Sequence, residues 1–137
     1  YGLTPLVNET ACGPDFYEEA KKSGHYIELD PAMSMEEAKE YANKMDVLYT
    51  DTWVDMEFFN NPAYQKQKEE TLAKMMPYQL NGDFTKDSKA IVFHDMPMHV
   101  GFEISQDVVD KNLDHILDEA ENRRHAEKAV MYTLLNS

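Results

Sequence analysis

Apolar residues along the chain fall partly into short runs and partly into helical spacing, and Pro, Gly and charged clusters divide the segments. Leu3 to Val7 could form a short strand. Gly13-Pro14-Asp15 opens a helix with Phe16, Tyr17 and Ala20 on one side, which stops at Gly24. Tyr26 to Leu29 reads as a buried strand. Ser34-Met35-Glu36-Glu37 has the spacing of a capping box, in which hydroxyl and carboxylate each satisfy a backbone N–H at a helix start. The helix predicted after it buries Ala38, Tyr41 and Ala42.

Asp46-Val47-Leu48-Tyr49-Thr50 is a short apolar run that releases a polar loop, Asp51 to Asn61, at its C-terminal end. Pro62 then begins a helix with Asn61 as its cap, running towards Met75 and Met76 until Pro77 ends it. Ala90-Ile91-Val92-Phe93 is the most strand-like run, and it delivers a second polar cluster, His94 to His99. A last helix, about Glu119 to Leu135, is expected to place Val130, Met131, Leu134 and Leu135 on a core face. Strands alternating with helices predict one α/β domain over residues 1–137, with a mainly parallel, Rossmann-like sheet and helices on both faces. Such sheets bind ligands beyond the C-terminal ends of their strands.

Composition narrows the partners. Acidic residues outnumber basic ones 26 to 13, and a net charge of −13 repels nucleic acid and anionic membrane alike. No stretch approaches the roughly 20 apolar residues that span a bilayer. With Cys12 alone no internal disulfide can form, which fits a reducing, cytoplasmic setting.

Two of the strongest strands therefore end in chemistry-bearing loops that a parallel sheet would open onto one edge. Asp51, Asp55 and Glu57 flank Trp53, a set suited to holding an ammonium group by charge-assisted hydrogen bonds against an aromatic wall. His94, Asp95 and His99 lack a fourth ligand and a recognised metal spacing, so a metal-dependent hydrolase is the weaker reading of that loop. Ala120-Glu121-Asn122-Arg123-Arg124-His125 could turn donors towards the same edge.

Taken together, these segments resemble the carbamoyltransferase superfamily, in particular the second domain of the ornithine enzymes, from about Pro14 onward. Thr50-Asp51-Thr52-Trp53-Val54-Asp55-Met56 is similar to the family's Thr-Asp-x-Trp-x-Ser-Met-Gly loop, and His94-Asp95-Met96-Pro97 to its His-Cys-Leu-Pro. Ala120-Glu121-Asn122-Arg123 matches its Ala-Glu-Asn-Arg, and Tyr78-Gln79-Leu80-Asn81 resembles its Tyr-Gln-Val-Asn.

The resemblance implies transfer of a carbamoyl group from carbamoyl phosphate to an amine, with no cofactor or metal. Asp51, Trp53, Asp55 and Met56 would hold the amine substrate. Asp95, Met96 and Pro97 would line the carbamoyl end, with Arg123 contacting it and the His94 side chain shaping the loop. Asp95 stands where the motif has Cys, Asp55 where it has Ser, Glu57 where it has Gly and Met96 where it has Leu. The added carboxylates favour a diamine over an amino acid.

A non-catalytic amine-binding or regulatory module of the same fold is the alternative. The family's phosphate-binding Ser-x-Arg-Thr and His-Pro-x-Gln segments are not found. The chain is therefore expected to be the amine-binding half, truncated at its start and inactive alone. Family members are usually trimers, which makes a homo-oligomer the expected assembly.

Overall fold

The computed structural model describes residues 14–24, 26, 29, 30 and 32–136 of the chain. They divide into two units, residues 1–38 and 39–137. In the first, α1 (Pro14–Ser23) begins with a proline whose missing N–H has no partner to lose there, and Lys21 and Lys22 sit at its negative end. Gly24, at φ +73°, ends it in the left-handed conformation that glycine adopts without strain. The strand expected at Leu3 to Val7 lies outside the described residues. Of Tyr26 to Leu29 only the two end residues are described; neither belongs to a strand, and Leu29 is buried.

The predicted capping box is present at α2 (Met35–Ala42). The Ser34 amide donates to Glu37 Oε2 (3.0 Å) and the Glu37 amide donates to Ser34 Oγ (3.3 Å). The Ser34 hydroxyl also donates to Glu37 Oε2 (2.7 Å), and this bond first, then that from the Ser34 amide, holds the Glu37 carboxyl below its ordinary value. Ala38 and Ala42 are buried, as expected, whereas Tyr41 is only half-buried.

The larger unit is built on two parallel strands, β1 (Val47–Thr50) and β2 (Ile91–His94), in the register Val47↔Ile91 to Thr50↔His94. Between them the chain makes α3 (Met56–Phe59), a 3-10 turn at Pro62–Tyr64, α4 (Gln65–Met75), a second 3-10 turn at Met76–Tyr78 and α5 (Gly82–Thr85). Asn61 caps as expected, but its oxygen accepts from the Ala63 amide of the 3-10 turn rather than from α4. Asn81, in the Tyr-Gln-Leu-Asn stretch, caps α5 by accepting from the Asp83 and Phe84 amides.

The last helix, α6 (Gln106–Leu135), is 30 residues long and starts well before the expected Glu119. Ser105 precedes it in an extended conformation, and its carbonyl accepts the Val109 amide. The early start has a clear cause: Val108, Val109 and Ile116 are buried and, with Ile104 and Val92, form the core beside β2. Asn112 adds a polar tie, its Oδ1 accepting the Val92 amide at 3.0 Å. That amide points away from β1, so α6 covers the open edge of β2.

The expected core face at the far end of α6 is not buried. Val130, Met131, Leu134 and Leu135 are 56 to 84% exposed. The helical spacing of these apolar residues is real, but within this chain it does not make a core face.

Candidate active site

The parallel register decides what leaves the sheet. Thr50 lies beside His94, so the next residues, Asp51 and Asp95, emerge as neighbours at the same edge. They come within hydrogen-bonding reach of one another. Burial, then the hydrogen bond and charge of Asp51, push the Asp95 carboxyl above its ordinary value, while His94 and Arg123 pull it back. Arg123 reaches this field from α6, two turns beyond the last buried residue of that helix. Asp51, Asp95 and Arg123, from three separate segments, therefore share one electrostatic neighbourhood.

Two further residues belong to it that the sequence reading passed over. The Tyr49 hydroxyl is raised above its ordinary value, first by burial and then by its hydrogen bond to Glu119, with the charges of Asp95 and Asp51 adding to it. The signal for Tyr49 was available: it stands two residues before Asp51 on a strand, and alternation puts both side chains on one face. Glu119 carried no signal, since only the packing of α6 on β2 brings it there. Phe93, His115, Asp118, Glu119 and Asn122 line a hollow of about 440 Å³ along that contact.

The His94 to His99 turn is tightly specified. His94 is fully buried; its Nδ1 accepts the Met96 amide at 2.9 Å and its Nε2 lies 3.2 Å from Glu103 Oε1. Met96 has φ +51°, uncommon for a residue with a side chain, and its bond to Pro97 is cis. His99 does not face a metal position: its ring stacks on Phe59, with centroids 3.6 Å apart. Among the described residues no three His, Cys, Asp or Glu side chains are placed to hold a metal ion.

Trp53 and Asp55 line a cleft of about 310 Å³ with Val54, Phe58, Tyr64, Lys68 and their neighbours on α4, a lining that does not include the carboxylate pair. Lys68 donates to the Phe59 carbonyl at 2.8 Å and lies over the Phe59 ring. Met56 is half exposed at the start of α3 and is not part of that lining. Phe58, Tyr64 and Lys68 escaped the sequence reading because they look like ordinary helix-surface residues until α3 and α4 meet.

A model of the aspartate/ornithine carbamoyltransferase Asp/Orn binding domain matches residues 2–134 of the chain. The chain belongs to this family. The ornithine carbamoyltransferase of Chlorobaculum tepidum is 40% identical over 71% of the chain, and that of Mycolicibacterium smegmatis 34% identical over 98%. Among solved structures, the chain resembles the anabolic ornithine carbamoyltransferase of Campylobacter jejuni (TM-score 0.70, 27% identity, 90% of this chain and 39% of that one). It also resembles the ornithine carbamoyltransferase of Pyrococcus furiosus (TM-score 0.64, 33% identity, 83% of this chain and 34% of that one). The α/β fold is thereby that of the ornithine carbamoyltransferases. The chain spans 28% of the length of the Chlorobaculum relative and 44% of the Mycolicibacterium one. No described helix is long and apolar enough to cross a membrane.

Proposed function

We propose that this domain binds the amine substrate in a carbamoyl transfer from carbamoyl phosphate, the phosphate being held by a further domain. The observation that carries this reading is the emergence of Asp51 and Asp95 side by side beyond the paired ends of β1 and β2, with the charge of Arg123 felt at Asp95. In the reaction the neutral amine nitrogen attacks the carbamoyl carbon and a tetrahedral oxyanion forms. The bond from that carbon to the phosphate oxygen then breaks, phosphate leaves and the nitrogen loses a proton.

Each residue has a part. Asp51 accepts hydrogen bonds from the incoming amine, and Asp95 beside it adds a second acceptor. Arg123 supplies positive charge where the carbonyl oxygen gains electrons, while backbone carbonyls of the Asp95–Met96 turn accept from the carbamoyl amide group. His94, buried as it is, shapes that turn and does not touch substrate. Trp53 and Asp55 serve the far end of the amine substrate, where an aromatic wall beside a carboxylate suits a second cationic group, the charge of Lys68 in the same lining being held at the Phe59 carbonyl and ring. Met56 borders the start of α3 beside it.

The substrate class follows from the charge. Asp51, Asp95, Asp55 and Glu119 would repel a substrate carboxylate, so a diamine fits better than an amino acid. Turnover of putrescine, ornithine, N-acetylornithine and aspartate should be compared in the complete protein carrying this domain, with carbamoyl phosphate as donor. Putrescine is expected to give the highest kcat/KM; preference for aspartate or N-acetylornithine defeats the diamine assignment. Amine binding without any product would instead indicate a non-catalytic module of this fold.

A further inference from the structure

Glu103 lies on the turn before α6 and is 1% exposed, one of two buried polar side chains among the described residues; the other is His94. A carboxylate so deeply buried carries a desolvation penalty that an apolar residue in the same space would avoid. Its contacts show what it does. Oε1 faces His94 Nε2 at 3.2 Å and also accepts the backbone amide of His99. Since His94 Nδ1 already accepts the Met96 amide, the ring must carry its proton on Nε2 and donate it to Glu103. One oxygen thus ties together both ends of the six-residue turn that holds Asp95, Met96 and Pro97.

The backbone that carries this carboxylate is anchored. The Leu80 amide donates to the Glu103 carbonyl and the Ser105 amide to the Leu80 carbonyl, each at 3.0 Å, so the backbone on either side of Glu103 is fixed to Leu80. At the other end of the turn, the stacking of His99 on Phe59, and of Phe59 under Lys68, connects it to the wall of the Trp53 cleft.

We infer that Glu103 is a positioning residue for carbamoyl transfer: by fixing the tautomer and orientation of His94 it sets the Asp95–Met96 backbone against the reacting group. The inference rests on the function proposed above. It goes beyond it in assigning a role to a residue outside the three family motifs.

The test uses the complete protein. Glu103→Gln keeps an acceptor oxygen and should stay within about fivefold of the parent kcat, whereas Glu103→Ala should lose about 100-fold in kcat with the amine KM within about threefold. His94→Ala with Glu103→Ala should lose no more than His94→Ala alone, because both remove the same constraint. Nitrogen-15 NMR of the His94 ring should report the Nε2-protonated tautomer in the parent and in Glu103→Gln, and a mixture of tautomers in Glu103→Ala.

Equal kcat in all variants, or an unchanged His94 tautomer in Glu103→Ala, overturns the assignment. A failure of Glu103→Ala to fold leaves the decision to Glu103→Gln, for which a shifted tautomer or a 100-fold loss counts against it. If the parent protein itself transfers no carbamoyl group, the proposed function fails, and the His94 tautomer still decides whether Glu103 sets the turn.

Discussion

Asp51 and Asp95 stand side by side because the residues before them, Thr50 and His94, are partners in a parallel ladder. Neither residue is unusual alone. The ladder turns two separate strand ends into a carboxylate pair, with Arg123 as the opposing charge.

This pair should make stability depend on pH in a definite direction. The Asp95 carboxyl is raised in the folded chain, so its contribution is fully present below the unfolded value and is lost as pH rises through the folded one. Asp95→Asn should therefore match the parent at pH 3 and be more stable at pH 7. The gain should be small, because the side chain is about one-third exposed and water screens the pair. Urea unfolding at the two pH values measures it.

Removing the amide group that covers the edge of β2 should be felt throughout the larger unit. Asn112→Ala leaves the Val92 N–H without its acceptor and should destabilise by about 1–3 kcal/mol. Hydrogen exchange at Val92 should accelerate more than at Leu48, a strand residue without a contact to Asn112.

Ile116 is fully buried where α6 meets β2, and Ile116→Ala should cost about 2–5 kcal/mol. Leu135→Ala, at a residue 84% exposed, should change stability by less than about 0.5 kcal/mol. Thermal unfolding of both variants checks the contrast between the two ends of one helix.

On the proposed function, Asp51→Asn in the complete protein should raise the amine KM at least about tenfold. Arg123→Ala should lower kcat about 100-fold, and Arg123→Lys should restore little of it, since a guanidinium presents donors that an ammonium does not. The 137-residue chain by itself should give no carbamoylated product in the same assay.

Much of this was legible before any coordinates. The capping box at Ser34, the strand at 47–50, the strand leading into His94 and the emergence of Asp51 and Asp95 at one edge follow from spacing and from the habits of parallel sheets. The long reach of α6 was missed because four aspartates, at 107, 110, 114 and 118, and Asn112 interrupt the apolar positions, so that Val108, Val109 and Ile116 were not read as a stripe. Glu103 was missed for the opposite reason: a single acid between Phe102 and Ile104 looks like surface relief in a turn. Only the fold reveals that its carboxylate points inward, at a histidine nine residues earlier.

The uneven burial of α6 also bears on how the chain melts. Its first half is fastened to the sheet, so the cooperative nucleus already exists, and residues beyond 120 extend it held by little more than pairs such as Arg124 with Glu121 and Arg123 with Glu127. Each such pair adds only a few tenths of a kcal/mol. Taken by itself, the distal half should unravel from its C-terminus at temperatures where the sheet is still intact, giving the chain a gradual loss of helical signal ahead of its main transition.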